Sequence, residues 1–207
     1  MMKSLRVLSV VAATAAVLIG GAARAESQYG YSSAGAAPAL TATAKLNVTV
    51  TVPKLILLRV GLDSTAISTA AMTATLLGGI PGGLGVLANG SNLASPWDGT
   101  APAWNNATAT AIRAYAWTNA SGGGSVTPAV TTDFADLTLK TKIAIASTLV
   151  SGGGLTHPAT MNLTTAIPFA KNAVASSDWV FSITAAFLGT SDAGAQSAQM
   201  TYTATTL

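Results

Sequence analysis

Lys45-Leu46-Asn47-Val48-Thr49-Val50-Thr51-Val52 alternates polar and apolar residues without a break. Successive side chains of a strand point to opposite faces, so Leu46, Val48, Val50 and Val52 fall on one face and the lysine, asparagine and threonines on the other. The spacing predicts a half-buried β-strand over residues 44–52. Pro53 has no N–H to give to a ladder and predicts a bend, a bulge or an edge. Residues 55–60 then predict a second, more fully buried strand ending at Gly61.

The same period recurs towards the C-terminus. Arg113, Tyr115 and Trp117 share one face of a strand over 108–118, with Ile112, Ala114 and Ala116 on the other. A short strand over 126–130 is expected to bend at Pro128. Leu137, Leu139, Ile143 and Ile145 predict one face of a longer strand that carries Lys140 and Lys142 on its other face. Residues 161–169 alternate again, and Trp179, Phe181, Ile183, Ala185 and Phe187 form the strongest apolar stripe. Met200, Tyr202 and Ala204 alternate with threonines to the end. A further short strand is expected at 73–77. Glycine-rich turns stand at 78–85, 121–124 and 151–154, and a long loop is expected over 88–106. About eight to ten strands joined by such turns predict an all-β antiparallel sandwich or barrel. The alanine-rich stretches 65–74 and 192–198 lack an amphipathic stripe, and their Ser and Thr content disfavours helix.

Upstream, Lys3 and Arg6 precede an uncharged run at 7–19, which ends in Gly20, Gly21 and Ala23-Arg24-Ala25. A basic start, a short apolar middle and small residues before a cut predict a secretory signal peptide over 1–25. The run is short of the ~20 apolar residues of a membrane span, so no integral span is expected after cleavage. Residues 26–43 read as a flexible N-terminal arm with Tyr29 and Tyr31, and 44–207 as one β-sandwich domain. The expected location is outside the cytoplasm, in the periplasm, at the surface or beyond.

Cleavage changes the charge. The chain has 10 Lys and Arg against 7 Asp and Glu. Three of the basic residues lie in the signal, so the remainder is formally neutral. No basic stripe is left to release counterions from a nucleic acid, and nucleic acid is not an expected partner. Charged residues are only 8% of the chain. A surface of hydroxyls and amides has little charge repulsion and favours association with other molecules. There is no cysteine, which excludes disulfides and thiol chemistry.

The residues that carry catalysis are sparse. His157 is the one histidine. It reads as a turn residue before Pro158, since no nucleophile elbow accompanies it. One histidine without cysteine cannot build a structural zinc site. Asp133 and Asp136 read as turn formers. The glycine-rich stretch at 78–85 lacks the Gly-Lys-Ser/Thr ending of a phosphate loop. No catalytic residue, metal or cofactor is expected, and the chain does not read as an enzyme. Trp97 and Trp104 stand in polar loop sequence beside Asp98 and Asn105. Aromatics in that setting are candidates for stacking on a sugar ring or filling a partner's pocket.

Two stretches carry a resemblance. The segment from Thr49 through Pro53, Lys54 and Leu55 to Gly61 is similar to one in uncharacterised secreted proteins of Gram-negative bacteria, as is the ending Met200-Thr201-Tyr202-Thr203-Ala204. More distantly, alternating terminal strands with a late tyrosine resemble cysteine-free fimbrial subunits of the chaperone–usher kind. That resemblance implies an immunoglobulin-like sandwich. It also implies a donor strand, Leu46, Val48, Val50 and Val52, completing the sheet of another subunit. The functional expectation is an exported surface subunit, fimbria-like or adhesive, that self-associates or binds other surface proteins. The alternative is a glycan- or ligand-binding module using the loop tryptophans.

Overall fold

A computed structural model describes residues 27–33, 39–62, 65–83 and 87–207. The expected signal peptide at 1–25 lies outside the described residues. The chain divides into two units, Met1–Val52 and Pro53–Leu207. In the first unit, residues 39–52 join no sheet. The alternation at 44–52 therefore does not make a half-buried strand within the chain. Leu46, Val48, Val50 and Val52 are instead 73–82% exposed.

The second unit holds the strands β1 (Ile56–Val60), β2 (Leu76–Leu77), β3 (Ala103–Trp104), β4 (Ala107–Thr108), β5 (Ile112–Thr118) and β6 (Gly124–Thr132). A single helical turn, α1 (Leu139–Lys142), leads to β7 (Ala144–Ser151), β8 (Ile167–Phe169) and β9 (Ala175–Ile183). A second turn, α2 (Ala185–Leu188), leads to β10 (Gln199–Thr206). All the strand pairings are antiparallel. The fold is all-β, as the alternation predicts.

Two sheets face each other. One runs β1-β5-β9-β7, with β4 also on β9. Ser182 pairs with Thr108 on one side and Ala144 on the other, while Trp179 pairs with Ile112 and Ser147. β4 and β5 are thus one strand broken by an irregularity at 109–111. The second sheet runs β10-β6-β8. With β8 set aside, these orders correspond to A-B-E-D and F-C in the notation of an immunoglobulin constant-type sandwich. Among the described residues, β1 and β10 are each paired on one side only.

The core lies between the sheets. Ala114, Ala116, Trp179, Phe181 and Ile183 meet Val126, Ile167 and Phe169, with Leu155 and Met161 packed alongside. Trp179 is fully buried, and its Nε1 donates to the Leu155 carbonyl at 2.7 Å. Alanine supplies much of the rest, so the two sheets depend on a few large side chains.

Several local readings change. Ala185 and Phe187, expected to continue the apolar stripe of β9, stand in the helical turn α2, and only Ile167–Phe169 of the expected strand at 161–169 pairs. β1 is not fully buried: Leu57 and Arg59 face outward, as an edge strand with one solvated face allows. β6 runs straight through Pro128, which pairs with Tyr202. β8 covers only the 124–126 end of β6, so at Pro128 the second edge is open and the missing N–H removes no ladder bond. Leu139 and Lys142 bound a helical turn instead of extending a strand. Asp136 starts it: its Oδ1 accepts from the N–H and hydroxyl of Thr138, and its carbonyl accepts from Leu139. The side chain thus offers the backbone an alternative to the ladder. Lys140 closes onto Asp133 in an ion pair.

Candidate functional site

β1 and β10 form two walls of a cavity of about 880 Å³. Leu58 and Val60 line it from β1, and Met200 and Tyr202 from β10. Its floor is core: Ile112, Ile143, Trp179 and Phe181. Residues 66–72 and 196–199 line it as well, so it is a partly covered cavity beside the core.

The register makes both walls rigid. β10 pairs with β6 along its full length from Gln199 to Thr206, with one irregularity between Gln199 and Met200. β1 is held on β5 by five consecutive pairs. At its entry, Asn119 clamps the chain: Nδ2 donates to the Pro53 carbonyl at 2.7 Å, and Oδ1 accepts from Leu55 N–H at 2.8 Å. On the outer face the Arg59 guanidinium lies 5.8 Å from the centre of the Tyr115 ring. Nearby, Arg113 makes a two-point pair with Asp178, both contacts at 2.7 Å. The guanidinium holds the Asp178 carboxyl below its ordinary range.

Beneath β10 sits a polar hub that the sequence reading missed. His157 is only 3% exposed. Its Nδ1 is 2.9 Å from the Pro158 carbonyl, which can only accept, so Nδ1 carries the hydrogen. Nε2 then accepts from the Tyr202 hydroxyl at 3.1 Å. Tyr202 stacks on Trp179 with ring centres 5.1 Å apart, and His157 meets Trp179 edge-on at 4.9 Å. Burial pushes the His157 pKa down, against a smaller upward pull from the Pro158 carbonyl. The same burial pushes the Tyr202 phenol up. The group is a neutral cross-sheet tie. His157 is more than a turn residue, but with its ring nitrogens committed to Pro158 and Tyr202 it has the contacts of a structural side chain. Its signal was weak because residues 157, 179 and 202 meet only in the fold.

The other candidates are placed separately. Trp97 is 59% exposed, and its Nε1 donates to the Thr100 carbonyl at 2.6 Å. Asp98 Oδ1 accepts from the Thr100 N–H and hydroxyl, which lowers the pKa of that carboxyl. Trp104 is half-buried in β3 opposite Leu76. Asn105 Oδ1 accepts from Thr75 N–H at 2.7 Å. Asp98 and Asn105 therefore each spend a side-chain oxygen on local backbone. None of the four lines the cavity between β1 and β10. Among the described residues no cluster of His, Asp and Glu is suited to a metal ion, and no helix is long and apolar enough to cross a membrane.

Comparison with protein-family models, with curated proteins and with solved structures finds no match to this chain.

Proposed function

We propose that this protein is an exported surface subunit that assembles head to tail, residues 44–52 of one copy lying as a strand in the cleft between β1 and β10 of the next. One observation carries the reading: a partly filled cavity between two edge strands coincides with an alternating segment that has no sheet to join. The two are complementary in chemistry. Leu58, Val60 and Met200 line the cleft beside the buried Trp179 and Phe181, and the segment presents Leu46, Val48, Val50 and Val52 on one face. Adding a strand to a free edge supplies main-chain hydrogen bonds along its length. It also covers edges that would otherwise invite indiscriminate pairing.

The chain's covalent structure favours the exchange between copies. For 46–52 to fold back on its own β1, the chain would have to reverse through Pro53 and Lys54. Two-residue hairpin loops need a positive φ at their first central position, and proline is locked near −65°. A donor and an acceptor at different places on one chain make a heterologous contact, which propagates as a fibre unless it closes into a ring.

Because the chain has no cysteine, single thiols can be placed cleanly. One pool carries Val48→Cys, Val50→Cys or Val52→Cys, and the other carries Met200→Cys or Val60→Cys. Under oxidation at least one combination is expected to form a disulfide between the pools. Absence of cross-pool dimers in every combination would overturn the reading.

A further inference from the structure

The cleft between β1 and β10 is not bare. Residues 66–72 run across it and line the same cavity. Over 68–74 they mimic a strand without being one: Ser68, Ala70, Met72 and Ala74 are half-buried, while Thr69, Ala71 and Thr73 are exposed. Ala70 and Met72 pack against the core. Yet the segment joins neither sheet. It is tethered at both ends. Gly61, at φ +96°, approaches Ser68 so closely that a Cβ there would fall 1.7 Å from its Oγ. At the other end Thr75 exchanges bonds with Asn105, N–H to Oδ1 at 2.7 Å and carbonyl to N–H at 3.0 Å.

We propose that residues 68–74 are a built-in plug, which holds the cleft of a free copy partly filled and is displaced by residues 44–52 of an incoming copy. The inference rests on the assembly reading above and adds its regulation. The plug is a poor occupant by composition. Its inward side chains are serine, alanine, methionine and alanine, where the donor offers leucine and three valines. Its lack of a ladder leaves the free edges of β1 and β10 available to the newcomer. A cavity of about 880 Å³ remains alongside those small side chains. An occupant with larger, β-branched side chains and a full set of ladder bonds wins the exchange. Until it arrives, the plug shields Trp179 and Phe181 and keeps free copies from indiscriminate aggregation.

The test uses the purified protein carrying Val48→Ser and Val50→Ser, which removes its ability to donate, and a fluorescent peptide of residues 42–53 as probe. Association is followed by anisotropy, and hydrogen exchange is read across the chain with and without peptide. Peptide binding should protect β1 and β10 and raise exchange at 66–72. Met72→Ser, which removes the plug's one large anchor, should speed association about tenfold. Ala70→Val with Ala74→Val, which makes the plug a better strand, should slow it. If the peptide binds at the same rate to all three chains and exchange at 66–72 is unchanged, the plug is refuted and the assembly reading stands. If the peptide binds none of them, the assembly reading fails and the plug with it. Should Met72→Ser fail to fold, the double valine chain and the exchange pattern still decide.

Discussion

Tyr202→Phe tests the tie between the sheets. The substitution keeps the ring, so the 5.1 Å stack on Trp179 survives. It deletes the hydroxyl that lies 3.1 Å from His157 Nε2. The imidazole is 3% exposed, and its Nδ1 hydrogen is committed to Pro158. Nε2 would be left as a buried acceptor without a donor. Leaving such a group unmatched costs about 1–3 kcal/mol. For a domain of this size each kcal/mol lowers Tm by about 2–4 °C, so a drop of roughly 2–12 °C is expected at neutral pH. Urea unfolding should show a lower midpoint with an unchanged slope, the mark of lost stability in an intact fold. The assignment is specific to the pair. In a His157→Leu background, Tyr202→Phe should cost far less, because the hydroxyl has already lost its partner. A change under about 0.5 kcal/mol in the otherwise unaltered chain would refute the tie. So would an equal loss in both backgrounds.

Two further outcomes follow from the same geometry. The folded imidazole is depressed by burial, so the unfolded chain, with its histidine near 6.5, binds the proton first. Stability is whole above that pH and falls as the pH drops below it, by at most about 1.4 kcal/mol per pH unit. It levels once the folded histidine protonates. Unfolding titrated in this window should lose that slope in His157→Leu, and a slope that persists there would place its origin elsewhere. Val50→Asp should leave the unfolding free energy within about 0.5 kcal/mol of the parent, because Val50 is 80% exposed in the free chain. It should weaken assembly by about a thousandfold or more, since it trades a buried valine for an unpaired carboxylate in an apolar cleft. Assembly at parental strength would exclude 44–52 as the donor.

Much of the sheet was legible where alternation is strict and both faces are defined. β5, β9 and β10 form around Tyr115, Trp179 and Tyr202, because one face of each strand meets the core, although the stripe expected to run on through Ala185 and Phe187 stops at Ile183. Legibility ended where a side chain outcompeted the ladder. Asp136 turned the apolar series around Leu139 into a helical turn, and only 167–169 of the expected strand at 161–169 pairs. Pro128 looked like a breaker but lies where β6 has an open edge. The cleft was illegible for a different reason. Alternation at 44–52 says that one face of the segment wants burial, but not in which molecule. The plug was illegible too, since Ser68, Ala70, Met72 and Ala74 carry no β signal of their own.

The central claim is that residues 44–52 join one copy to the next. Sedimentation velocity of the purified protein over a range of concentrations, beside a chain in which 44–52 is replaced by a Gly-Ser linker of equal length, tests it most directly. A concentration-dependent series of oligomers that disappears in the linker chain is the predicted result. A parent that stays monomeric throughout, or a linker chain that forms the same series, would contradict it.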